Sequence, residues 1–166
     1  MKNTIKPEKP AGRPRLACPL KLASLLYFLL AILLMMGIWI FSSRSGTVSQ
    51  VQSDSLLDLL HLPETPLASF IIRKMAHFSI YLVLGIAWLL FFSSLGWSRK
   101  KACLAALACC ILYAGIDEFH QTFIDGRSGE IRDVLLDGTG SLAGIGLCCL
   151  VGPVFQSLKA RFSARK

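Results

Sequence analysis

The stretch Tyr113–Gly144, YAGIDEFHQTFIDGRSGEIRDVLLDGTGSLAG, decides what kind of molecule this is. An apolar run enters it and another leaves it. Between them stand Asp117, Glu118, His120, Gln121, Arg127, Glu130, Arg132, Asp133 and Asp137. The entering run starts at Ala102 and stays uncharged to Ile116, ~22 Å along a helix at 1.5 Å per residue. Crossing a ~30 Å hydrocarbon core therefore takes the helix to about His120. Asp117 and Glu118 then fall in the last turn of a membrane span, where ionisable groups are costly and need partners or a task.

Working outward, the composition agrees. Hydrophobic residues make up 54% of the 166-residue chain and charged residues only 17%, below the usual quarter for soluble domains. Mean hydropathy is +0.57. The net charge of +8 sits in short blocks beside apolar runs, which fits anionic lipid at the cytoplasmic membrane face. No basic patch interleaved with aromatics is present, so nucleic acid is not an expected partner. Of the six cysteines, five fall inside apolar runs and none shows a C-x-x-C spacing. They read as small apolar packing residues, with the adjacent pairs Cys109–Cys110 and Cys148–Cys149 at similar depth.

The pattern predicts an all-α membrane protein with four transmembrane helices, over about 22–41, 75–95, 102–119 and 134–155. Residues 1–21 form a basic, proline-rich cytoplasmic arm, 22–158 the four-helix domain, and 159–166 a basic cytoplasmic tail. The first span has about 20 apolar residues, too many for the apolar region of a secretory signal. After it, Val51, Leu56, Leu59 and Leu60 mark a short amphipathic helix resting on lipid, which Pro63 and Pro66 end. Lys74, His77 and Tyr81, at i, i+3 and i+7, share one face of the second span. Asp133, Asp137, Gly140 and Gly144, with Ser141, stripe the fourth span. Its glycines are expected to let the third and fourth spans form a tight antiparallel hairpin.

The N-terminal arm, Arg99–Lys101 and the C-terminal tail are rich in Lys and Arg and nearly free of acids. The sidedness of such blocks puts both termini in the cytoplasm. FSSRSG (Phe41–Gly46), the Lys74 face, Asp117–Gln121, the GRSGEIRD loop and Asp137 then gather as a polar cluster at the outer membrane boundary, at one depth. Helix periodicity places Asp117, His120 and Gln121 on one face with Glu118 beside it.

These residues carry a resemblance. FSSRSG, the K-x-x-H-x-x-x-Y of Lys74, His77 and Tyr81, DEFHQ at Asp117–Gln121, Gly126–Arg127 and the D-V-L-L-D-x-x-G of Asp133–Gly140 occur here in order. The chain resembles the VanZ-like membrane proteins over about Phe41–Gly146. It departs at Asp125, where members often have Pro, and at Asp137, where Asn is also common. The resemblance implies a multi-pass protein of the bacterial cell membrane with a part in glycopeptide resistance of the teicoplanin type.

Three functional readings stand open. In the first, the cluster binds or shields a lipid-linked or cell-wall precursor. Its ligand-binding candidates are Lys74, His77, Tyr81, Asp117, Glu118, His120, Gln121, Arg127, Asp133 and Asp137; Arg127, Arg132 and Lys74 would take phosphate or carboxylate. In the second, it is an intramembrane enzyme acting on a lipid head group. His77 or His120 would be the base, and Asp117, Glu118 and Asp133 would hold a divalent metal or orient the histidine. The chain has no H-E-x-x-H or G-x-S-x-G motif, so this reading lacks a local signature. In the third, the charges pair with one another and clamp the helix ends.

Overall fold

The computed structural model describes residues 22–163, with side chains through 152. The arm over 1–21 and the last residues of the tail lie outside the described residues. The described chain is all helical: α1 Leu22–Ser42, α2 Gly46–Leu59, α3 Pro66–Ser94, α4 Arg99–Gln121 and α5 Ile131–Ser163. Four of these are long and apolar enough to cross a membrane, namely α1, α3, α4 and the Ile131–Gly152 part of α5. The protein is a multi-pass membrane protein.

Local chemistry sets the helix limits. Thr65 caps α3, its hydroxyl accepting from the Ala68 N–H at 3.2 Å, and Pro66 takes the first helical position, where its missing N–H costs nothing. Pro66 thus opens the second span rather than ending the amphipathic helix, and this span begins well before residue 75. Arg73 and Lys74 consequently lie inside α3, not in the loop before it. In α2 the inward stripe is Ser49, Ser53 and Leu57, while Val51 is 63% and Leu59 74% exposed. Val51 and Leu59 thus point away from the bundle, as expected of a helix resting on lipid, while Leu57 packs inward.

Helix α3 touches every other helix. Its core residues Tyr81, Leu84, Ala87, Trp88 and Leu89 are buried. Its closest partner is α5, and the two run parallel. A Cβ added at Gly140 would stand 2.5 Å from the Phe78 carbonyl oxygen, and one at Gly85 2.7 Å from that of Ser141. Gly144 lies against the Leu82 carbonyl in the same way. Backbones this close leave no room for any side chain. The glycine stripe of α5 therefore docks on α3, not on α4 as the short α4–α5 connection led the sequence reading to expect. Helix α4 also buries small residues, with Ala102, Ala106, Cys110 and Ala114 fully buried.

Candidate functional site

The parallel α3–α5 seam carries a ladder of polar pairs. Lys74 forms an ion pair with Asp133 at its mouth. One turn further in, His77 Nδ1 stands 3.7 Å from Asp137 Oδ2. At the next turn the Ser141 hydroxyl donates to the Tyr81 carbonyl at 3.2 Å. Polar residues spaced three to four apart on both helices meet in register because the helices run the same way. The cluster therefore descends into the bundle instead of lying at one depth, and Asp137 and Tyr81 are both fully buried.

A second network joins α4 to the neighbouring chain segments. Asp117 Oδ2 accepts from the Ser42 hydroxyl at 2.8 Å and from Gln121 Nε2 at 3.1 Å. Glu118 accepts from Gln121 Nε2 at 3.3 Å through Oε1 and from the Glu130 N–H at 3.0 Å through Oε2. Gln121 Oε1 in turn accepts from Arg127 Nη1 at 3.1 Å, and Arg127 Nε donates to the Arg44 carbonyl at 3.0 Å. The loop that delivers Arg127 turns at Gly126, whose φ of +72° suits glycine and whose backbone meets that of Gly46. The Gly46 N–H donates to the Asp125 carbonyl at 3.0 Å across this contact.

Two cavities open at this end. The polar one holds about 160 Å³ and is lined by Arg73, Lys74, His77, Gln121, Arg127, Glu130, Asp133 and Asp137, with Phe70, Gly126, Ser128 and Leu136. The other, between α1, α2 and α3, holds about 480 Å³ and is walled by Ile38, Phe41, Leu56, Ile72 and Ile80. Arg73, His77 and Arg127 line both. Burial and the neighbouring Arg73 charge lower the Arg127 pKa from its ordinary value, with Asp117, Glu118 and Asp133 opposing them. Arginine stays charged through any such shift. Among the described residues the ion pairs are Lys74–Asp133 and His77–Asp137, so neither Arg73 nor Arg127 has a carboxylate partner.

A family model described as VanZ/LLP1 matches residues 27–152, most of the chain and all four spans. The chain belongs to the VanZ/LLP1 family. No curated protein and no solved structure matches it.

In this VanZ/LLP1 domain nine of the ten candidate residues separate into two groups. Lys74, His77, Gln121, Arg127, Asp133 and Asp137 line the polar cleft. Tyr81, Asp117 and Glu118 lie behind it as buried supports. His120 does not line the cleft; it packs its ring on Trp39 of α1, centroids 3.9 Å apart, on the side of α4 where Asp117 meets Ser42. Arg132 is exposed and does not line the cleft, whereas Arg73, which sequence reasoning left out of the site, does. The Thr65–Pro66 helix start places Arg73 inside α3 beside Lys74, and the packing of α3 then turns it into the cleft. Among the described residues, no three His, Cys, Asp or Glu side chains form a group that could hold a metal ion.

Proposed function

We propose that this VanZ/LLP1 protein binds the anionic head group of a lipid-borne envelope molecule in the polar cleft, with the attached chain in the adjoining apolar chamber. One observation carries the reading. Arg73 and Arg127 stand where the two cavities join, and no carboxylate among the described residues forms an ion pair with either. Two neighbouring guanidiniums repel each other, and a phosphate or carboxylate between them removes that repulsion while making charge-assisted hydrogen bonds. An apolar chamber that begins at the same two residues suits an amphiphile better than a free anion.

With both termini cytoplasmic, as the basic blocks favour, the cleft faces outward in a bacterial cell membrane. Lipid-phosphate cell-wall precursors and phospholipids both present anions there. Holding or shielding such a molecule is the route by which the protein would contribute to glycopeptide resistance of the teicoplanin type. The test is native mass spectrometry of the full chain released from mild detergent, comparing wild type with Arg73→Gln, Arg127→Gln and the double variant. Each single change is expected to reduce retained anionic lipid about tenfold, the scale of a lost charged hydrogen bond. Equal retention by all four proteins would overturn the reading.

A further inference from the structure

The polar cleft contains more than spare positive charge. Asp137 lines it and is 0% exposed, yet neither of its carboxylate oxygens has a hydrogen-bond partner among the described residues. His77 Nδ1, at 3.7 Å, stands beyond hydrogen-bond reach, and no Lys or Arg pairs with Asp137. Asp133, one turn away, is already satisfied by Lys74. One cleft therefore holds two guanidiniums lacking an anion and one buried carboxylate lacking a donor. Leaving a buried carboxylate without donors is costly, and a ligand that donates to it from the cleft removes that cost.

Resting on the lipid-anion reading above, we infer that the bound head group carries a primary ammonium close to its phosphate, the ammonium donating to Asp137 and the phosphate lying between Arg73 and Arg127. Size sets how close. Asp137, Arg73 and Arg127 all line a single cavity of about 160 Å³, room for on the order of ten water-sized spheres at about 10–15 Å³ each. Both charges must then sit on one short head group, as in phosphoethanolamine, and not at opposite ends of a long peptide or glycan. A head group bearing only phosphate and hydroxyls would offer Asp137 no positive charge beyond that of His77 at 3.7 Å. A trimethylated ammonium would bring positive charge without an N–H to donate.

The experiment uses the full chain in mild detergent and three phospholipids with identical acyl chains, phosphatidylethanolamine, phosphatidylglycerol and phosphatidylcholine, scored by native mass spectrometry. Wild type is expected to retain phosphatidylethanolamine about tenfold over either of the others, the scale of one charged hydrogen bond. Asp137→Asn should bring the phosphatidylethanolamine-to-phosphatidylglycerol ratio close to unity. If that variant fails to fold, the wild-type ratio alone decides. Phosphatidylglycerol held as well as phosphatidylethanolamine, both above the Arg73→Gln/Arg127→Gln double variant, would overturn the ammonium while leaving lipid-anion binding intact. No lipid held above the double variant would overturn the underlying reading instead. A wild-type preference that persists in Asp137→Asn would remove Asp137 from the ammonium site.

Discussion

Lys74 and Asp133 form an ion pair across the mouth of the α3–α5 seam, with side chains only 28% and 19% exposed. Partial burial raises the cost of separating them above that of an ordinary surface pair. Asp133→Leu is expected to destabilise the protein by about 1–2 kcal/mol, because it leaves the Lys74 charge without its acid. Exchanging the two charges, Lys74→Asp with Asp133→Lys, should recover part of that loss. Unfolding in detergent measures both, and a swap no better than the single change would count against the pair as a clamp.

Arg127 works as a fork. Its Nε and Nη1 reach the Arg44 carbonyl and the Gln121 side chain together, a geometry that a lysine ammonium does not reproduce. Arg127→Lys keeps the charge, so we expect retained anionic lipid to fall several-fold at a stability cost of about 1 kcal/mol. Lipid retention equal to wild type would reduce Arg127 to a tether between the two loops.

The contact between Gly140 and the Phe78 carbonyl sets a packing prediction. Leu at Gly140 would collide with the α3 backbone, whereas nothing lies within 4 Å of a Cβ at Gly152. Gly140→Leu is expected to lower stability by about 1–3 kcal/mol or more, as overpacking does, with Gly152→Leu near neutral. Similar melting temperatures for the two variants would contradict the α3–α5 docking.

At the opposite end of the bundle, the Cys103 and Cys149 sulfurs lie 3.6 Å apart, and Arg99 Nε donates to the Cys149 sulfur at 3.4 Å. Two thiols this near need only a small shift to reach disulfide geometry. Mild oxidation of the detergent-solubilised protein should therefore remove the mass of two hydrogens and join the peptides containing these residues. Cys103→Ser should abolish that linkage. Joining of Cys109 to Cys148 in its place would mean the register of α4 on α5 differs.

Sidedness is tested with single cysteines at Ser128 and Lys100 in a background lacking the native cysteines. An impermeant thiol reagent applied to intact cells should label Ser128→Cys and spare Lys100→Cys. The reverse pattern would place the cleft at the cytoplasmic face.

Hydropathy and helical period are local properties, and from the sequence alone they determined the four spans and the shared face of Lys74, His77 and Tyr81. The same local rules contain the Thr65–Pro66 start, since a proline suits the first turn of a helix as well as the end of one. Rotation of each helix about its axis, and the choice of neighbour, were decided only by the tertiary structure. In a bilayer every span has an apolar exterior, so an apolar pattern does not say which helix a glycine stripe will meet. The choice of α3 by Gly140 and Gly144 came from backbone fit. That fit brought Asp133 to Lys74, set Asp137 beside His77, and carried Arg73 into the cleft. Likewise, nothing around His120 in the sequence announces Trp39. The two meet because α1 and α4 pack side by side, an arrangement written in the shapes of both helices together and in neither alone.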